Sequence, residues 1–281
     1  MRTLAFSMIL FVLAGCAVGP DYSRPDLQVP TGFRMAMSDG ETESFANLPW
    51  WDLLQDEELR RLIRIALAEN RDLQRAVASV EEFQSRLFIS TMEFAPKADV
   101  TANAPAFGRK ANFLFPGFPN PFNYYLQGNL SWELDIWGRV RRSNEAARGD
   151  LLAREDARRA VVLQLVSGVA EAYFELLQFD MQLGVAQRTL KSWEESVRIA
   201  DARLRQGMIS RIDADQFEAE RANAAARAAE LTRQMVQKEN QLSVLLGRPP
   251  GQVARGRSLT EQVLPPEVPA GLPSELLQRR P

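Results

Sequence analysis

The chain has 281 residues but one cysteine and no histidine, and these absences exclude several kinds of site. A single thiol cannot close a disulfide within the chain, and zinc sites built from cysteine and histidine need several such ligands. Histidine, the side chain that most often transfers protons in enzymes, is missing as well. The composition therefore predicts no metal site, no cofactor and no histidine-based catalysis.

The sequence also lacks an excess of positive charge and a long apolar run. Its 34 lysines and arginines are balanced by 36 aspartates and glutamates, whereas nucleic-acid-binding proteins carry a strong basic excess. After the N-terminal segment, no uninterrupted apolar run approaches the ~18 residues of a transmembrane helix, so a membrane segment would have to consist of strands. We find no phosphate-binding loop and no nucleophile motif, so an enzyme is not expected.

The N-terminus has the pattern of an export signal. Met1 and Arg2 give a weakly positive start, and Leu4 to Ala14 form an apolar run. The run has the length of a signal-peptide core and is too short to cross a bilayer as a helix. Residues 1–15 are therefore predicted to be a signal peptide.

The cysteine follows this run directly. Leu13-Ala14-Gly15-Cys16 resembles the lipobox of bacterial lipoproteins, in which the leader is cut before the cysteine and the thiol carries diacylglycerol. By the same resemblance, Ala17 in place of an aspartate implies the outer membrane of a Gram-negative bacterium. Cys16 is thus the predicted lipidation site, and the proline-containing residues 16–50 are predicted to form a tether. The alternative is an ordinary secretory signal with an incidental cysteine.

Residues 51–95 have the periodicity of amphipathic helices. Asn70-Arg71-Asp72 is a plausible break between two helices, and Pro96 ends the second. The apolar residues recur at spacings of three and four: Leu59, Leu62, Ala66, Leu73, Ala76, Val80, Phe83 and Leu87.

Residues 96–136 change to a period of two, which is typical of strands. The first run is Lys97 to Ala106 and the second is Tyr124 to Ile136, with an exposed loop at 107–123. Two strands that are apolar on one side and polar on the other fit a transmembrane β-barrel with lipid outside and water inside. The alternative is a sheet of a soluble protein with one solvent-exposed face. The polar side chains predicted to face the lumen are Gln127, Asn129, Glu133 and Asp135.

Residues 137–246 return to helical periodicity and predict a long coiled-coil hairpin. A helix from Arg139 to Gln206 would be about 100 Å long. Gly207 can end it in the left-handed conformation, and Ser210 can cap the return helix, Ile212 to Leu246. The seam of the first helix is Val162, Leu165, Val169, Ala172, Leu176, Phe179, Leu183, Ala186, Leu190, Trp193, Val197, Ala200 and Leu204. The seam of the second is Ala214, Phe217, Ala224, Ala228, Leu231, Met235, Leu242 and Leu245.

Several stretches together resemble the outer-membrane factors of the TolC and OprM type, in particular the NodT-like lipoprotein branch. After the lipobox these stretches are VGPDYSRP, WWDLLQDEELRRLIRIALAENRDLQRA, SWELDIWGRVRR, RQGMISRIDADQFEAERA and NQLSVLLGRPPG. They occur in the order found in that family. The fold class is thus expected to be mixed and mainly α, with a periplasmic helical hairpin and two antiparallel strands of a transmembrane β-barrel.

This resemblance implies a function as a passive duct that carries drugs or other small molecules across the outer membrane. In that family, three protomers form one barrel and one periplasmic tunnel, which connects through an adaptor protein to an inner-membrane transporter. Gly207, Ser210 and Asp213 match the hairpin tip that contacts the adaptor, although turn and cap chemistry explains Ser210 and Asp213 equally well. Family protomers contain two similar halves, and residues 51–281 match one. Residues 247–281 are accordingly expected to be a linker to the second half.

A different class of protein is the alternative. A periplasmic coiled-coil lipoprotein with a structural or adaptor-like role would also have a lipid anchor and a long hairpin. An adaptor, however, is expected to add compact β-domains on both sides of its hairpin. Residues 247–281 are too few and too rich in proline to form one.

Overall fold

The computed structural model describes residues 20–23, 51, 54–103 and 125–263. Cys16, the predicted loop 107–123 and residues 264–281 of the predicted linker lie outside the described residues. In chain order the elements are α1 (Glu57–Glu69), α2 (Arg71–Met92), β1 (Lys97–Asn103), β2 (Tyr125–Ser131), α3 (Arg139–Arg205), α4 (Arg211–Leu245) and a short 3₁₀ helix (Leu259–Glu261).

The chain divides into two compact units. The strand unit contains the described residues 20–23, 79–103 and 125–155, and the helical unit contains 51, 54–78 and 156–263. Helices α2 and α3 each contribute residues to both units.

In the strand unit, β1 and β2 form an antiparallel pair whose register separates apolar from polar side chains. Three small or apolar residues of β1 lie opposite three of β2: the pairs are Ala98–Leu130, Val100–Gly128 and Ala102–Leu126. The intervening polar pairs are Lys97–Ser131, Asp99–Asn129 and Thr101–Gln127. Because side chains alternate along a strand, each set lies on one face of the sheet.

Strand β2 is shorter than the period-two pattern predicts. It ends at Ser131, whereas the alternation continues to Ile136. The carboxylate of Asp135 accepts hydrogen bonds from the backbone N–H groups of Val140 at 3.0 Å and Arg141 at 2.9 Å. Asp135 therefore belongs to the start of α3, where free N–H groups need acceptors, and not to the strand.

In the helical unit, one residue separates α1 from α2 at the predicted break. The backbone N–H of Asn70 donates to the carbonyl of Ala66, which continues the last turn of α1. Its side-chain oxygen accepts from the N–H of Leu73 at 2.9 Å and so caps α2. Its side-chain nitrogen donates to the carbonyl of Leu245 at 2.9 Å, which joins this corner to the end of α4.

The two seams of the predicted hairpin are confirmed with one exception. Every seam residue of α3 is buried or half-buried, and so is every seam residue of α4 except Phe217. The ring of Phe217 instead lies 6.3 Å from that of Trp193, near the turn between the two helices.

The core of the helical unit lies where α1, α3 and the end of α4 meet. Its buried residues are Leu59, Leu62, Ile63, Ala66, Leu73, Leu165, Val169, Ala172, Tyr173, Leu176, Leu177, Leu242, Leu246 and Val253. By length and composition α3 contains a stretch apolar enough to cross a membrane, which the sequence analysis did not expect. Packing of residues 161–177 into this core accounts for their apolar character.

Candidate functional site

The polar face of the strand pair carries a chain of hydrogen bonds. The side-chain amide of Gln127 donates to the side-chain oxygen of Asn129 at 3.0 Å, and the amide of Asn129 donates to the carboxylate of Asp99 at 3.0 Å. All three side chains are exposed. Gln127 and Asn129 therefore lie together on a water-accessible surface.

Glu133 and Asp135 lie beyond the end of β2 and form a separate group. The guanidinium of Arg139 donates to both carboxylate oxygens of Glu133, at 2.7 and 2.6 Å. Asp135 caps α3 and also accepts from the guanidinium of Arg141 at 3.2 Å. The predicted group of four polar residues is thus divided into two on the strand and two at the strand-to-helix junction.

The opposite face of the strand pair is apolar and uncovered. Val100, Leu126 and Leu130 are 72%, 76% and 77% exposed. Burial of aliphatic side chains is worth roughly 1.5–3 kcal/mol each, so a contiguous exposed set indicates that something covers it. This face can contact either lipid or another apolar surface.

The hairpin tip has the turn chemistry that the sequence predicts. Gly207 has φ 71°, and the N–H of Met208 donates to the carbonyl of Arg203 at 2.9 Å, which completes a Schellman motif. Ser210 and Asp213 form a reciprocal capping box at the start of α4. Hydrogen bonds from the Ser210 hydroxyl and backbone N–H hold the pKa of Asp213 below its usual value.

Two exposed apolar residues at the tip were missed in the sequence analysis. Met208 and Ile212, on either side of Ser210, are 69% and 71% exposed. Their positions beside the predicted turn are the signal that could have identified them. The polar groups of Ser210 and Asp213 bond to each other, and Met208 and Ile212 are exposed apolar side chains beside this capping box.

A buried polar network around Asp56 was also missed. Asp56 caps α1 through hydrogen bonds from the N–H groups of Glu58 and Leu59. It accepts further bonds from the Tyr173 hydroxyl at 3.1 Å, the Gln262 amide at 2.7 Å and the N–H of Arg257 at 3.2 Å. These bonds tie α1 and α3 to the segment after α4.

The environment of this network perturbs two pKa values in opposite directions. Burial by itself raises the pKa of Asp56, but the hydrogen bonds from Gln262, Leu59, Tyr173 and Arg257 outweigh it, and the net shift is downward. Burial raises the pKa of Tyr173 to about 12. The network is therefore a neutral hydroxyl bonded to a charged carboxylate, which suits a structural role.

A second ionic group holds the same segment. The guanidinium of Arg255 donates to the carboxylate of Asp180 on α3 at 2.9 Å and to the buried carboxylate of Glu239 on α4. Glu239 lies among the apolar residues of its helix, and the charge of Arg255 compensates its burial. Residues 251–262 are thus fastened to three helices of the helical unit.

Comparisons with known proteins agree with this architecture. The family model for outer membrane efflux proteins matches residues 62–248. The probable efflux pump outer membrane protein TtgC of Pseudomonas putida is 31% identical over 285 residues, 99% of this chain and 59% of TtgC. The probable outer membrane lipoprotein SilC of Salmonella typhimurium is 30% identical over 288 residues, 100% of this chain and 60% of SilC. The open-state MtrE outer membrane channel of Neisseria gonorrhoeae aligns with TM-score 0.75 and 31% identity over 94% of this chain and 59% of MtrE.

The matches span nearly the whole chain but only about three fifths of the relatives' length. They confirm the predicted outer-membrane location in a Gram-negative bacterium and the predicted combination of a helical hairpin with a strand pair. The matching family consists of efflux proteins and not of enzymes. Because its model covers more than half of the residues, the chain belongs to the outer membrane efflux protein family.

Proposed function

We propose that this chain is part of a passive outer-membrane duct in a tripartite efflux system. The observation that carries the proposal is the register of β1 and β2, which places exposed aliphatic residues on one face and hydrogen-bonded polar residues on the other. Lipid would cover the apolar face, and Gln127 and Asn129 would line the water-filled lumen. Glu133 and Asp135 would lie at the periplasmic end of the lumen.

Two features support the remaining parts of the system. The lipobox at Leu13 to Cys16, together with the description of SilC as a lipoprotein, supports acylation of Cys16. The exposed tip supports contact with a periplasmic adaptor, which would connect the duct to an inner-membrane transporter. In a trimer of the family type, strands from the second half of each protomer would join β1 and β2 to close the barrel, since an open sheet leaves unpaired backbone groups in lipid.

Cysteine labelling of the outer-membrane fraction tests the two faces. We expect Gln127→Cys and Asn129→Cys to react with a membrane-impermeant maleimide at least about tenfold faster than Leu126→Cys and Leu130→Cys, because hydrocarbon excludes the reagent. All four sites are exposed in the structure, so the membrane alone can create the difference.

The parent protein, which carries Cys16 as its one cysteine, gives the background for this experiment. Equal labelling at the four sites in intact membranes would contradict the proposed barrel strands. It would favour a soluble sheet, as in the alternative of a periplasmic coiled-coil lipoprotein.

The tip proposal attributes adaptor contact to Gly207, Ser210 and Asp213, with Met208 and Ile212 as the apolar surface. We expect Met208→Asp and Ile212→Asp to reduce export severalfold in an otherwise functional efflux system while leaving outer-membrane assembly unchanged. Exposed substitutions usually alter stability by no more than about 0.5 kcal/mol, so the fold should persist. Export of a fluorescent substrate and cross-linking to the adaptor measure the effect.

Val236→Asp is the matched control, because it introduces the same charge at an exposed position of α4 far along the helix from the tip. Normal export in the Met208 and Ile212 variants, together with unchanged adaptor cross-linking, would refute the role of the tip.

A further inference from the structure

Helix α3 begins with a charge pattern that opposes its own dipole. Its first turn contains Arg139, Arg141 and Arg142 and no acidic residue. The N-terminal end of a helix carries a partial positive charge, so cations there are unfavourable and carboxylates are favoured. A sequence that breaks a local rule in this way indicates a function for the residues that break it.

Each of these arginines has a carboxylate partner from outside the first turn. Arg139 and Arg141 pair with Glu133 and Asp135, which immediately precede the helix. Arg142 pairs with Glu145 one turn later at 2.6 Å, and its second terminal nitrogen donates to the carboxylate of Asp21 at 2.8 Å. Asp21 is 121 positions away in sequence, so the last pair is a tertiary contact.

Asp21 belongs to the short described segment 20–23 near the N-terminus. The side chain of Asp21 is 90% exposed, whereas that of Arg142 is 27% exposed. All four residues of the segment are exposed. The ion pair, and not apolar burial, therefore carries the contact between this segment and the start of α3.

We propose that Arg142 is the docking site for the N-terminal tether and that it holds the lipid-bearing Cys16 close to the strand-to-helix junction. The anchoring role rests on the acylation of Cys16 proposed above. Asp21 is five positions after Cys16 in the sequence, so the Cα atoms of the two residues lie within about 18 Å of each other even when the chain between them is fully extended. Without docking, the 35 residues from Cys16 to Trp51 would allow a reach of about 120 Å.

The consequence is a fixed relation between the lipid anchor and the strand pair. Arg142 lies eleven residues after Ser131, the last residue of β2, in the first turn of the helix that follows it. Docking of Asp21 at this turn places the acyl chains beside the end of the strand that leaves the membrane. The pair thus aligns two independent membrane attachments of one chain.

Cross-linking in the full chain tests the docking. Tyr22→Cys and Ser143→Cys place thiols beside the two partners at exposed positions. We expect a short bis-maleimide to cross-link the two thiols. Asp21→Asn should slow this cross-linking about two- to fivefold, because an exposed ion pair contributes little stability, and Asp21→Arg should slow it further. The exchanged pair Asp21→Arg with Arg142→Glu should restore the rate.

Arg148→Glu is the matched control, since Arg148 is an exposed arginine farther along α3, and it should leave the rate unchanged. An unchanged rate in both Asp21 variants would overturn the docking. A different pattern would also overturn the docking: Arg142→Glu slows the cross-linking, Asp21→Arg does not restore the rate, and Asp21→Asn has no effect. Arg142 would then be assigned to anionic lipid headgroups. The mass of the N-terminal peptide from the same samples separates the proposed acylation of Cys16 from the proposed docking of Asp21. If Cys16 is unmodified while cross-linking still depends on Asp21, the lipid anchor is refuted and the docking is not.

Discussion

Replacing Gly247 with alanine is expected to lower the free energy of unfolding by about 4 kcal/mol. Gly247 ends α4 with φ 70°, a conformation that penalises a side chain by roughly 1–2 kcal/mol. In addition, a Cβ at this position would lie 2.2 Å from the carbonyl oxygen of Glu69. Overpacking of this kind typically costs about 1–3 kcal/mol, and here the obstacle is backbone, which cannot rotate away.

Gly207 provides a matched control for this prediction. It ends α3 with nearly the same φ of 71°, but a Cβ there would have no atom within 4 Å. Gly207→Ala should therefore cost only the conformational share, about 1–2 kcal/mol. Urea unfolding followed by helical circular dichroism gives both values. If Gly247→Ala and Gly207→Ala lower the free energy of unfolding equally, the close approach between the end of α4 and the end of α1 does not contribute to the cost of Gly247→Ala.

Asp56→Ala is expected to lower the free energy of unfolding by about 3 kcal/mol. The variant loses the N-cap of α1, worth about 1 kcal/mol. It also leaves the buried hydroxyl of Tyr173 without its acceptor, at about 1–3 kcal/mol. Asp56→Asn keeps one acceptor oxygen and should lose less. A loss no greater than that of Ser210→Ala, which removes an exposed cap, would contradict the role of the network.

The difference in free energy of unfolding between the wild type and Asp56→Asn should depend on pH. The pKa of Asp56 is lower in the folded chain than its ordinary value of 3.8, so the folded state favours the charged form. The resulting stability is fully present above pH ~4 and is lost as the pH falls through the lower, folded-state pKa. The difference in free energy of unfolding between the wild type and Asp56→Asn should therefore be constant near neutral pH and decrease in acid. A difference that increases in acid would require a raised pKa for Asp56 and refute the lowered one.

Local sequence patterns were sufficient for the helices and for the turn between the long ones. The alternating spacings of three and four predicted the buried seams of α3 and α4, because one face of a helix is determined by residues a few positions apart. Gly207 and Ser210 predicted the ends of these helices for the same reason, since helix caps involve neighbours in sequence. The two faces of the strand pair also followed from simple alternation.

The sequence pattern failed where tertiary or competing local interactions decided the outcome. The alternation of β2 continues to Ile136, but Asp135 bonds to the start of α3 and the strand ends at Ser131. Phe217 fits the seam and is nevertheless exposed, next to Trp193. For β2, the start of α3 determines where the strand ends, because its free N–H groups bind Asp135.

The sequence by itself determined the order of helices and strands and the turn at the hairpin tip, because each depends on short-range pattern, and the resemblance of several stretches to known proteins indicated the family. Only the tertiary structure revealed the partners of Asp56, which lie 117 positions away at Tyr173 and 201 positions away at Arg257. It alone revealed the pairing of Asp21 with Arg142 as well. Hydrogen bonds and ion pairs are specific over about 3 Å, and periodicity carries no information about which distant polar group will come within that distance.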